Sequence, residues 1–125
     1  MMTALVLPGR PEAAAGAREF ARKALAGYPA ADDAVLALSE LVSNAVLHSK
    51  SGRPGGTLEV RLTVTAASVL AEVLDEGPFG VPAVTSRENV AERGRGLVIV
   101  EALTAMWGSP GPGLWWFWMP LGGAQ

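Results

Sequence analysis

The chain has 125 residues, half of them hydrophobic and 18% charged, which fits one globular domain and excludes a disordered chain. A formal charge of −2 excludes a general nucleic-acid or anionic-membrane surface, because those need clustered cations. The absence of cysteine removes disulfides, thiolate metal sites and cysteine nucleophiles, and a single histidine removes any metal site needing two imidazoles.

The stretch Met1-Met2-Thr3-Ala4-Leu5-Val6-Leu7-Pro8 has no basic leader and too short an apolar run for a signal peptide. No apolar stretch approaches the roughly 20 residues that span a bilayer, so a cytoplasmic protein without membrane association is expected. Residues 3–7 predict a short strand, stopped by Pro8-Gly9. Residues 12–26 are Ala-rich, with Phe20, Ala24 and Leu25 spaced for one helical face, and Gly27 is a stop. Pro29-Ala30-Ala31-Asp32-Asp33 opens a second helix, with acids where the helix dipole favours them, that runs to about His48. After a loop over 49–56, residues 58–64 alternate apolar and polar as a strand with one covered face. Residues 69–74 are its partner, and the tight turn near Ala67-Ser68 makes an antiparallel hairpin. A loop from Asp75 to about residue 93 precedes a helix over 96–105, a short strand at 106–108, a turn over 109–113 and a final strand over 114–119. The pattern predicts a single α+β domain over 1–125, a two-layer sandwich with a mostly antiparallel sheet and helices on one face.

The second helix carries the most chemistry. At about 100° per residue, Ala34, Val35, Leu38, Leu41, Val42, Ala45 and Val46 form one apolar arc. Asp32, Ser39 and Ser43 lie beyond one edge of it. Glu40, Asn44 and His48 follow at i, i+4 and i+8 beyond the other, so their side chains stack along one side. Asn disfavours helix interiors because its amide competes for backbone bonds. Two readings fit: solvated or locally capping side chains, or a cleft wall with an acid and a neutral oxygen donor for a hard cation. Mg²⁺ takes oxygen ligands and keeps several waters, so one amide carbonyl plus phosphate oxygens suffices.

Two loops extend that pattern. Asp75-Glu76-Gly77-Pro78-Phe79-Gly80 follows a strand directly; it reads either as an ordinary Asp-x-Gly turn or as a carboxylate for an exocyclic amine, with Gly77 and Gly80 admitting a flat ring. Gly94-Arg95-Gly96 precedes Leu97-Val98-Ile99-Val100 at a helix start, either a flexible lead-in or a phosphate cradle of exposed N–H groups to which Arg93 and Arg95 add charge.

In this fixed order the segments resemble a known family. The run Ser39-Glu40-Leu41-Val42-Ser43-Asn44-Ala45-Val46-Leu47-His48 resembles the N box of the ATPases that group gyrase, Hsp90, histidine kinases and MutL. Val73-Leu74-Asp75-Glu76-Gly77 resembles their first glycine box, and Gly94-Arg95-Gly96-Leu97-Val98-Ile99-Val100 their second. The nearest likeness is to stand-alone anti-sigma-factor serine/threonine kinases. The resemblance implies a Bergerat-type fold that binds ATP and Mg²⁺. It implies that Asn44 holds Mg²⁺, Glu40 is the general base and Asp75 reads the adenine amino group. Gly77 and Gly80 would line the base pocket, while Arg93, Gly94, Arg95, Gly96 and Leu97 would meet the phosphates. His48 matches the family's position with a structural role. Two departures bear on affinity: Pro78-Phe79 displace the second glycine of the first box to Gly80, and Gly113-Leu114-Trp115 offers no hydroxyl where the family often has a threonine.

The final strand is apolar on both faces, with Leu114, Trp116 and Trp118 on one and Trp115, Phe117 and Met119 on the other. It is either doubly covered or an interface, and a homodimer is one occupant. The function implied is an ATP-binding regulator that phosphorylates a serine or threonine on a small anti-sigma-factor antagonist. Its partners would be a sigma factor, that antagonist or both, with no direct nucleic-acid contact. The alternatives are a non-catalytic, nucleotide-switched binding module and a scaffold that has lost ATP binding.

Overall fold

A computed structural model describes residues 1–77 and 95–122. The described elements are β1 (Met2–Pro8), α1 (Ala13–Ala24), α2 (Ala31–His48), a single 3₁₀ turn (Lys50–Gly52), β2 (Thr57–Val64), β3 (Ser68–Leu74), α3 (Arg95–Leu103), β4 (Met106–Gly111) and β5 (Leu114–Pro120). The expected α+β sandwich is the one formed: a five-stranded sheet in the order β1-β2-β3-β5-β4, antiparallel throughout, with three helices on one face. Among the described residues, no helix is long and apolar enough to cross a membrane.

The alternation read in the strands sets which side is covered. Leu58, Val60 and Leu62 of β2 and Val69, Ala71 and Val73 of β3 are buried towards the helices, as are Trp115, Phe117 and Met119 of β5. Each of these side chains larger than alanine contributes roughly 1.5–3 kcal/mol by leaving water. The helix α1 lies over β1 and β2, α2 packs between α1 and α3 and reaches β3, and α3 leans on β4. Six of the seven residues of the predicted arc of α2 are buried, Val46 is half-buried, and Ala37, which the arc omits, is buried as well.

The final strand is not an edge. It pairs with β3 on one side and β4 on the other, and β4 extends three residues past the expected stop, to Gly111. Trp115 stacks on Trp107 with centroids 6.4 Å apart and planes at 14°, inside the helix-covered layer. On the opposite face Leu114, Trp116 and Trp118 are half-buried, and the Trp116 indole lies over Gly108. The same outer face turns polar on β2 and β3. There Arg61 Nε donates to Glu59 Oε2 at 2.6 Å, and that bond, helped by the nearby Glu72 charge, raises the guanidinium above its ordinary value.

Candidate functional site

The helix α2 delivers Glu40 and Asn44 one turn apart on the side that meets α3. Asn44 is only 7% exposed, and among the described residues its side-chain amide has no hydrogen-bond partner. A buried amide left unpaired costs about 1–3 kcal/mol, so the amide gains by taking up a partner that the described residues do not supply. Glu40 is half-buried. A β-carbon added at Gly96 would lie 3.3 Å from Glu40 Oε2 and 3.7 Å from its carbonyl oxygen, so the first turn of α3 sits directly against this side chain. His48 is exposed in the last turn of α2.

The loop after β3 is fastened to the far end of α2. Lys50 donates its backbone N–H to the Gly77 carbonyl at 2.8 Å, and Glu76 N–H donates to Ser51 Oγ at 2.9 Å. Glu76 Oε2 in turn accepts the Thr57 N–H at 2.6 Å. Within the loop, Asp75 Oδ1 accepts the Gly77 N–H at 2.7 Å, an Asx turn that the left-handed φ of +88° at Gly77 makes possible. The β4–β5 turn closes on the same residue: Asp75 N–H donates to the Gly113 carbonyl at 2.8 Å. A β-carbon at Gly113 would come within 3.0 Å of the Asp75 carbonyl.

These bonds position the sequence-predicted residues in two groups joined by α2. Glu40, Asn44 and Gly96 form one, and Asp75 with Gly77, tied to the exit of α2, forms the other. Leu97 is 2% exposed, so its side chain belongs to the core and only its N–H is available to a ligand. Arg95 opens α3. Gly80, Arg93 and Gly94 lie outside the described residues. The first N–H groups of α3 have no intrahelical acceptor, and with the helix dipole they favour an anion.

The profile of the family described as the histidine kinase-like ATPase domain matches residues 7–106. The chain belongs to the histidine kinase-like ATPase family. No curated protein matches it by sequence. The histidine kinase-like ATPase fold implies a nucleotide, and the donor set here fits one. Asn44 presents a neutral buried oxygen and Gly96 leaves room beside a carboxylate. Among the described residues no three His, Cys, Asp or Glu side chains gather as a metal cage. A Mg²⁺ ion would then depend on Asn44 together with phosphate oxygens and water, the manner in which this ion is commonly held.

The sequence reading missed Ser51, Glu76 and Gly113. Ser51 is completely buried, yet it stands in a run of Ser, Lys, Gly and Arg that reads as a solvated loop. Nothing local marks it, because its partner Glu76 is 25 residues away.

Proposed function

We propose that this ATP-binding-type domain is a cytoplasmic regulator that transfers the γ-phosphate of Mg²⁺·ATP to a serine or threonine of a small anti-sigma-factor antagonist. Its partners would be that antagonist and a sigma factor. The observation that carries the reading is the buried amide of Asn44, without a hydrogen-bond partner among the described residues and one turn from Glu40, whose carboxylate lies near the start of α3.

In this reading Asn44 offers its carbonyl oxygen to the metal, and the N–H groups at residues 95–97 receive the phosphate oxygens. Bound Mg²⁺ supplies neutralisation of the charge on the phosphates. Asp75 hydrogen-bonds the adenine amino group, with Gly77 beside the ring. Glu40 orients the acceptor hydroxyl and takes its proton as the oxygen bonds to phosphorus and the bond to the bridging oxygen of ADP breaks.

A second reading, a nucleotide-switched binding module without chemistry, is favoured by Gly113-Leu114-Trp115, which carries no hydroxyl beside Asp75, and by the engagement of Asp75 Oδ1 with Gly77. One pair of measurements separates them. ATP titrations with and without Mg²⁺ test binding, and transfer of labelled phosphate to a candidate antagonist tests chemistry. Glu40→Ala is expected to bind ATP yet transfer at least about 100-fold more slowly. Equal transfer by wild type and Glu40→Ala removes Glu40 from the mechanism, and absence of ATP binding by the wild type overturns both readings.

A further inference from the structure

The helix α1 and the strand β1 are drawn together at one end only. Ala13, Ala17 and Ala21 of α1 are buried, and their small side chains let the helix lie close against α2. Near the start of α1, Gly16 leaves room for Leu7: a β-carbon there would meet Leu7 Cδ2 at 3.0 Å. Further along, towards Phe20 and Lys23, helix and strand part. A cleft of ≈ 660 Å³ opens between them, within the size range of sites that hold small organic ligands.

The walls of this cleft are apolar and its rim is not. Phe20 and Ala24, one turn apart on α1, form one wall, and Val64 at the end of β2 stands in the other. Each packs on the core yet is only half-buried, so each keeps apolar surface open to the cleft. Tyr28 also lines it, its hydroxyl donating to the Thr65 carbonyl at 3.3 Å and tying the chain after α1 to the β2–β3 turn. Thr3, in register with the buried Leu62, places a hydroxyl on the covered side of β1. Lys23 supplies the charged side chain of the lining. Its ion pair with Glu19, at 3.7 Å, joins side chains that are 78% and 61% exposed. Such a pair is worth little and leaves the ammonium ready for another anion.

We infer that this cleft is a binding site for a small aromatic monocarboxylate. The ring enters between the helix and the strands and takes apolar surface of Phe20, Ala24 and Val64 out of water, with the Phe20 ring as its aromatic neighbour. The carboxylate pairs with the Lys23 ammonium, and the Thr3 hydroxyl is a further donor in the same lining. The other ligand classes fit less well. A cation is repelled by Lys23, and a neutral ring forgoes the ion pair. A compact dianion such as phosphate meets one cationic side chain and mainly apolar walls, and loses its hydration without compensation. An apolar body with a single negative charge matches both parts of the lining. None of these residues is assigned to the nucleotide, so the inference stands apart from ATP binding.

The probes are 3-phenylpropionate and its uncharged amide, titrated into the isotope-labelled full chain and followed by backbone amide shifts. The acid should shift residues 3, 20–28 and 64–66 and saturate with a Kd on the order of 1 mM, the range open to a ligand of about eleven non-hydrogen atoms. The uncharged amide should bind about 2- to 5-fold more weakly, and so should the acid to Lys23→Gln. Acid and amide should bind that variant alike. Ala24→Trp should fill the cleft and abolish the saturable shifts while circular dichroism stays unchanged. Should Ala24→Trp fail to fold, Lys23→Gln, at an exposed position, carries the test alone. The inference is overturned by any of three results: no saturation by about 20 mM acid, shifts centred on other residues, or a preference for acid over amide that is absent in the wild type or persists in Lys23→Gln.

Discussion

Gly96 sits against Glu40 so closely that a single methyl group would come within 3.3 Å of the carboxylate oxygen Oε2. That contact joins the first turn of α3 to the middle of α2. It leaves a β-carbon at residue 96 little room beside the carboxylate, at a place where helix propensity alone would prefer alanine.

Gly96→Ala therefore sets local propensity against the site. Alanine in a helix is favoured over glycine by up to about 1 kcal/mol, so thermal unfolding should stay level or rise by a few degrees. The carboxylate must yield by a few tenths of an ångström, and ATP affinity or phosphate transfer should fall several-fold. Paired melting curves and nucleotide titrations check this. Unchanged function in a stabilised variant would detach Gly96 from the site.

Among the described residues nothing partners the buried amide of Asn44, which predicts a cost in the ligand-free protein. Asn44→Leu exchanges a buried amide with no partner among the described residues for an apolar side chain of similar size and should stabilise the nucleotide-free protein by about 1–2 kcal/mol. The same variant should lose the Mg²⁺-dependent part of ATP binding. Denaturant unfolding without ligand, followed by titration with and without Mg²⁺, reads both effects. A clear loss of stability in the apo variant would show that the amide already has a partner in solution.

How much of this could be read from the sequence divides along the range of the interactions. Alternation in β2 and β3 and the arc on α2 are local patterns, and they fixed the two layers and the covered face. The placement of Glu40 beside Asn44 follows from helical spacing alone. Ser51, Glu76 and Gly113 escaped because their roles are long-range: a hydroxyl and an N–H separated by 25 residues, and a turn glycine closing on Asp75 from another hairpin. The topology escaped for a related reason, since alternation says which face of a strand is covered but not which strand stands beside it. The last strand in sequence thus lies inside the sheet, and the first is an edge.

Ser51→Ala tests the long-range fastening without touching any residue proposed to meet the nucleotide. It removes the acceptor for the Glu76 N–H at a fully buried position, and a lost partner of this kind costs about 1–3 kcal/mol. Amide exchange should quicken at Glu76 and Gly77 more than in the sheet centre. ATP affinity should fall with it, because Asp75 is held by the same loop. Exchange unchanged at residues 76 and 77 would mean the loop is anchored elsewhere.

Backbone proximity makes a sharper demand at Gly9. A β-carbon there would stand 1.6 Å from the Ser51 carbonyl oxygen and one at Gly56 only 2.2 Å from it, so the exit of β1 and the approach to β2 close on one peptide group. No rotamer change relieves a clash with backbone, and the strands on both sides are held in register. Gly9→Ala should therefore destabilise by at least about 3 kcal/mol, in the class of severe core changes. Gly55→Ala is the comparison. Nothing lies within 4 Å of its β-carbon, but its φ of +82° leaves a strain of about 1–2 kcal/mol. Urea unfolding of the two variants should rank Gly9→Ala well below Gly55→Ala. The reverse order would mean that the β1 exit shifts away from Ser51 at little cost, and the fastening of the Asp75 loop through that same turn would lose its rigid base.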